Sequence, residues 1–166
     1  MAGIYIHIPF CKQACSYCNF HFATSLRRKN ELVAALLSEM ELRKGYLKGE
    51  PIETIYFGGG TPSLLPPRDH AALIEKTHAI FKISPNAEIT LETNPDDISE
   101  EKLKGWREAG INRLSMGIQS FFEEDLKWMN RAHTAEHALD SLQSAVKYFN
   151  NITVDLIYGT PLLTNE

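Results

Sequence analysis

Five short runs of β-branched, aliphatic and aromatic residues begin at about residues 4, 54, 88, 113 and 152, and a helical pattern separates each from the next. Successive strands with a helix between them cannot pair as hairpins. They demand crossovers, and crossovers build a parallel sheet with helices packed outside it. Such crossovers share one hand, so the units curl toward a barrel or an open doubly wound sheet. The first run, Ile4-Tyr5-Ile6-His7-Ile8, stops at Pro9. Residues 28–47 then read as a helix, because Leu32, Val33, Leu36, Leu37 and Met40 share one face. The second run, Thr54-Ile55-Tyr56-Phe57, ends in Gly58-Gly59-Gly60. A helix from Pro67 to Phe81 follows, with proline at a permitted first-turn position. The third run, Glu88 to Glu92, closes at Thr93-Asn94-Pro95. Ser99 caps the next helix, Glu100 and Glu101 suit its positive end, and Gly110 stops it. Arg113 to Ile118 is the fourth strand, and residues 123–128 and 135–148 read as helices. His133, placed just before the last of these, is expected to help cap it. Ile152 to Tyr158 is the fifth strand.

With 166 residues, 43% of them hydrophobic, the chain is long enough for one domain with a sizeable core. A full eight-unit barrel needs about 250 residues. Five units therefore predict the front part of a longer protein, and Thr164-Asn165-Glu166 reads as the start of a further helix. The net charge of −4, from 17 basic and 21 acidic residues, offers no basic field for nucleic acid. No apolar run approaches the roughly 18 residues of a membrane span, and no signal peptide is evident. A cytoplasmic location is expected, where thiols stay reduced.

All three cysteines lie in Cys11-Lys12-Gln13-Ala14-Cys15-Ser16-Tyr17-Cys18. A disulfide with one spare thiol suits neither the odd count nor the expected compartment. Three thiolates at these spacings can converge on one soft metal centre. An iron–sulfur cluster normally takes four cysteines, so three leave one iron open. A Cys3His zinc site with His21 as the fourth ligand stands as the alternative. The remaining polar candidates fall where strands finish. These are the glycine run with Thr61, then Glu92, Gln119 and Asp155, with Arg131 near the same rim. In a parallel βα barrel those carboxyl ends form the active face, and in a doubly wound sheet they also bind ligand. Three consecutive glycines allow close backbone approach to a ligand. Glu92 and Asp155 are carboxylates in apolar surroundings that need a polar partner. Without a metal they would read as an acid–base pair. Gln119 can donate and accept at once, and Arg131 can clamp a carboxylate.

Cys-x-x-x-Cys-x-Tyr-Cys after a first strand resembles the radical SAM superfamily. More narrowly, residues 5–11, Phe57-Gly58-Gly59-Gly60-Thr61-Pro62, Glu92-Thr93-Asn94-Pro95, Gly117-Ile118-Gln119-Ser120-Phe121 and Asp155-Leu156-Ile157-Tyr158-Gly159 resemble the oxygen-independent coproporphyrinogen III oxidase family. Its haem-chaperone branch is the nearer likeness. The resemblance implies a partial parallel (β/α) barrel, residues 1–166 forming an incomplete radical SAM core. It implies a 4Fe–4S cluster on Cys11, Cys15 and Cys18 with S-adenosylmethionine on the open iron. Tyr5, Tyr17, Gly59, Gly60, Thr61, Glu92, Gln119, Arg131 and Asp155 would contact that cofactor. The implied chemistry is reductive cleavage of the sulfonium to a 5′-deoxyadenosyl radical that abstracts hydrogen, with an electron-donor protein and haem or a porphyrinogen as partners. Haem would bind beyond this chain. Two departures favour the chaperone over the decarboxylating oxidase. The oxidase carries a further cysteine where this chain has Phe20, and it has a long extension ahead of its barrel.

Overall fold

The computed structural model describes residues 2–162. The expected helix start at 164–166 lies outside them. Five strands form one sheet, β1 (Ala2–Ile8), β2 (Ile52–Gly59), β3 (Ile83–Thr93), β4 (Arg113–Gln119) and β5 (Ile152–Leu156). Every neighbouring pair is parallel and the order is sequential, β1-β2-β3-β4-β5. A doubly wound sheet reverses its strand order partway. An unreversed order is that of a barrel wall opened along one side. The helices are α1 (Lys29–Leu42), α2 (Pro67–Ile80), α3 (Glu100–Glu108), α4 (Glu123–Trp128) and α5 (Ala135–Ala145).

The period of two along each strand divides the sheet into unlike faces. Ile55, Phe57, Ile89, Leu91, Leu114, Met116 and Ile118 are buried in the core that includes Leu73 of α2, Leu103 and Trp106 of α3 and Ala138 of α5. The opposite face is polar. Tyr5 stacks on Tyr56, and Arg113 bonds Thr90 on β3 and Thr153 on β5. Ser115 donates to Asp155. Hydroxyls and charges in this band answer one another across strands, as they must where half-buried polar groups share a wall.

Several boundaries differ from expectation for local reasons. α1 ends at Leu42 and not near residue 47, and Lys48 and Gly49 beyond it both take positive φ. Gly45 inside the expected span weakens a helix there. α5 closes at Ala145, and the turn beyond it tightens through i→i−3 bonds from Lys147 to Ser144 and from Tyr148 to Ala145. β3 starts five residues early, at Ile83. Ser99 does cap α3, accepting from the Lys102 N–H at 3.2 Å. His133 does not cap α5. Thr134 accepts from the His137 N–H instead, while His133 is buried with Nε2 3.0 Å from the Ile118 carbonyl. Burial holds the His133 imidazole below its ordinary pKa, and the Arg131 charge adds to that.

Candidate functional site

The chain leaving β1 makes a loop whose base is closed. Cys11 N–H donates to the Ala23 carbonyl at 3.1 Å and Ala23 N–H to the Pro9 carbonyl at 2.8 Å. The top is tied to the segment after α4. Ser16 donates from its main chain to Met129 and from its hydroxyl to Trp128. Gln13 donates to the Asn130 carbonyl at 2.6 Å, and Asn130 donates back to Ala14 at 2.8 Å. Asn130 takes φ 55, a left-handed conformation that asparagine tolerates better than most residues. All three cysteines are free and half-buried.

β2 passes beside this loop and explains part of the glycine run. Gly59 has φ +114, a region costly to other residues. A side chain on Gly60 would stand 2.6 Å from the Phe10 carbonyl and 3.0 Å from Cys11 Sγ. The closeness anticipated for a ligand is thus already required by the protein's own cysteine loop.

A cavity of about 230 Å³ opens at the carboxyl ends of the strands. Cys11, Cys15, Cys18, Tyr17, Gly59, Gly60, Thr61, Glu92, Gln119, Arg131 and Asp155 all line it. Of the residues singled out in the sequence, Tyr5 stands apart, exposed on the polar face of β1 and 3.3 Å from His7 Nδ1 through its hydroxyl. His21 is exposed and also off the cavity wall. Among the described residues no three His, Cys, Asp or Glu side chains are grouped tightly enough to hold a single metal ion.

Glu92 accepts from the Tyr56 hydroxyl at 2.8 Å and from the Gly59 N–H at 3.1 Å. Burial raises its pKa despite those two bonds. Tyr56 is pushed up to about 12, by burial first and by Glu92 second. Arg131 is aimed from behind. One terminal nitrogen donates to Asn94 Oδ1 at 2.8 Å and to the Gly117 carbonyl at 2.6 Å. The other reaches Tyr17 Oη at 3.2 Å and Cys15 Sγ at 3.5 Å. Its Nε is buried without a hydrogen-bond partner. Burial raises the Cys11 thiol, the Thr61 hydroxyl opposes this, and the neighbouring Cys18 and Cys15 raise it further. A cationic centre relieves a thiol held in this way, as it does the ligands of a metal cluster. Gln119 ends β4 with φ 71 at a register irregularity, a bulge that re-aims a side chain at the sheet's rim.

Asn94, Tyr56 and the pair Asp96 and Asp97 join the site without a residue-type signal of their own. Asn94, which closes β3 within the Glu92-Thr93-Asn94-Pro95 motif, bridges Arg131 and the Thr61 hydroxyl, to which it donates at 3.2 Å. Its place at the carboxyl end of β3 was the available signal.

Three free cysteines on the first loop, facing a polar rim on a sequential parallel sheet, define a radical SAM core. The Radical SAM superfamily model matches residues 5–166, and the chain belongs to that superfamily. Heme chaperone HemW of Escherichia coli is 36% identical over 165 residues, 96% of this chain and 43% of that protein. Heme chaperone HemW of Bacillus subtilis is 38% identical, over 97% of this chain and 43% of that protein. The solved structure of coproporphyrinogen III oxidase (HemN) from Escherichia coli matches with a TM-score of 0.89 at 32% identity, covering 98% of this chain and 38% of that one. The chain therefore spans less than half the length of the relatives it matches. Superfamily membership implies a 4Fe–4S cluster and S-adenosylmethionine. No helix among the described residues is long and apolar enough to cross a membrane.

Proposed function

We propose that this is a cytoplasmic radical SAM protein of haem or porphyrin metabolism, a haem chaperone of the coproporphyrinogen oxidase-like family. One observation carries the reading: a single cavity collects all three cysteines together with Gly59, Gly60, Thr61, Glu92, Gln119, Arg131 and Asp155. Cys11, Cys15 and Cys18 hold the cluster. Its chemistry when bound is delivery of one electron to the sulfonium of S-adenosylmethionine. The protein's own residues bind and orient. Arg131, fixed through one terminal nitrogen on Asn94 and Gly117, takes the cofactor's carboxylate with the other, which now lies against Tyr17 and Cys15. Glu92 and Asp155 face its cationic and hydroxyl groups, Tyr17 covers it from the cysteine loop, and Thr61 and the Gly59-Gly60 backbone supply close polar contacts. Tyr5 supports Tyr56 from β1, and Tyr56 in turn holds Glu92. The names of the HemW relatives favour haem as cargo, and Phe20 in place of a further cysteine favours the chaperone over the oxidase. Haem and an electron-donor protein meet the longer protein outside these residues.

Arg131→Ala tests the arrangement. Each hydrogen bond to a charged group is worth about 1.5–3 kcal/mol, so affinity for S-adenosylmethionine should fall roughly 10- to 150-fold. Arg131→Lys keeps the charge without the fork and should fall between. Isothermal titration of the iron- and sulfide-reconstituted protein reads both. Unchanged affinity in Arg131→Ala would remove Arg131 from the site.

A further inference from the structure

Lys12 is the one cation between Cys11 and Cys18. Its Nζ stands 2.7 Å from Asp96 Oδ2 and 2.7 Å from Asp97 Oδ1, and it donates to the Asp96 main-chain carbonyl at 3.0 Å. Asp97 is fixed from behind. Its side chain is 1% exposed, Ser63 Oγ donates to Oδ2 at 2.8 Å, and Lys102 Nζ lies 3.9 Å from Oδ1. Lys102 spends its hydrogen bond on the Ser63 carbonyl at 2.9 Å. A buried carboxylate needs a close counter-charge, and Lys12 supplies the closer of the two. The cysteine loop is therefore tied by neutral hydrogen bonds to residues 128–130 on one side and by charge to the end of β3 on the other. Lys12 and Asp96 line the same cavity as the three cysteines.

We infer that Lys12, held by Asp96 and Asp97, is a positioning residue whose charge sets the reduction potential of the centre bound by the cysteine loop. This rests on the cluster reading above. Potentials of iron–sulfur centres follow local net charge and second-shell contacts. A nearby cation favours the added electron, and a nearby anion opposes it. Here two carboxylates face the Lys12 ammonium at 2.7 Å, with Lys102 farther off at 3.9 Å from Asp97. Lys12→Met strips the cation on the cysteine loop and leaves both anions with only the more distant Lys102, so the midpoint potential falls. Asp96→Asn removes one anion while Lys12 keeps Asp97 and the Asp96 carbonyl, so the midpoint rises. A loop merely loosened by either change would move both variants the same way.

The test is a redox titration of wild type, Lys12→Met, Lys12→Arg and Asp96→Asn, each reconstituted anaerobically with iron and sulfide. The expected order is Lys12→Met below wild type, Lys12→Arg near it and Asp96→Asn above it. Equal midpoints, or shifts of Lys12→Met and Asp96→Asn in the same direction, would overturn the inference. A wild type that takes up no iron and sulfide would instead sink the cluster reading beneath it.

Discussion

Cys15→Ala should abolish uptake of iron and sulfide altogether while leaving the empty fold almost as stable as before. Cluster irons are held by thiolates, ordinarily four, and this chain offers three. Nothing in the loop can replace one. Gln13 and Ser16 are committed to Asn130 and Trp128, and Tyr17 Oη lies against Arg131. The apo protein loses little, because Cys15 is half-buried and its sulfur takes one long contact from Arg131. Substitutions away from core features usually stay within about 0.5 kcal/mol. His21→Ala supplies the contrast. His21 stands exposed away from the cavity, so iron and sulfide should remain at wild-type stoichiometry. A Cys3His zinc site would require the reverse, with His21→Ala losing its metal. Iron, sulfide and zinc analysis, paired with urea unfolding of the metal-free proteins, separates the two.

Trp106 should be the costliest side chain to remove from the core. It projects from α3 with 0% of its surface exposed, and Lys102 Nζ lies 5.8 Å from its ring centroid. Truncation to alanine should cost about 3–5 kcal/mol, from lost burial and the cavity left behind. Trp106→Phe should cost clearly less, because it leaves a smaller cavity. The indole Nε1 is buried without a hydrogen-bond partner, so phenylalanine forfeits volume but no bond. Urea midpoints measure both changes. A phenylalanine variant as unstable as the alanine variant would mean that the indole N–H has a partner.

The alternation of strand and helix is written in residue types, and each strand forms close to where its β-branched run predicts. The strand and helix pattern alone left barrel and doubly wound sheet open; the family resemblance implied the barrel, and the structure bears it out. Both use right-handed crossovers, and only the pairing of β1 with β2 and onward in sequence distinguishes them. At the site, Cys11, Cys15, Cys18 and Glu92 were readable because cysteine is scarce and a carboxylate within an apolar run is conspicuous. Tyr56 was not. Its hold on Glu92 depends on the β2–β3 register that sets Tyr56 opposite Thr90. Nothing in residue type marks Asp96 and Asp97 as part of the site, yet Asp97 is buried and pairs with a lysine 85 positions away in the chain, at Lys12. His133 looked like a helix-flanking residue because hydrophilic type says little about depth. Its ring is buried beneath the Ile118 carbonyl.

The proposed function requires that three cysteines leave one iron open and that the polar rim seats S-adenosylmethionine on it. Electron paramagnetic resonance of the reduced, reconstituted protein, recorded with and without S-adenosylmethionine, tests this most directly. The expected result is a cluster signal whose g-values shift when S-adenosylmethionine is added. A spectrum unchanged by saturating S-adenosylmethionine, or a protein that holds zinc and gives no cluster signal, would contradict it.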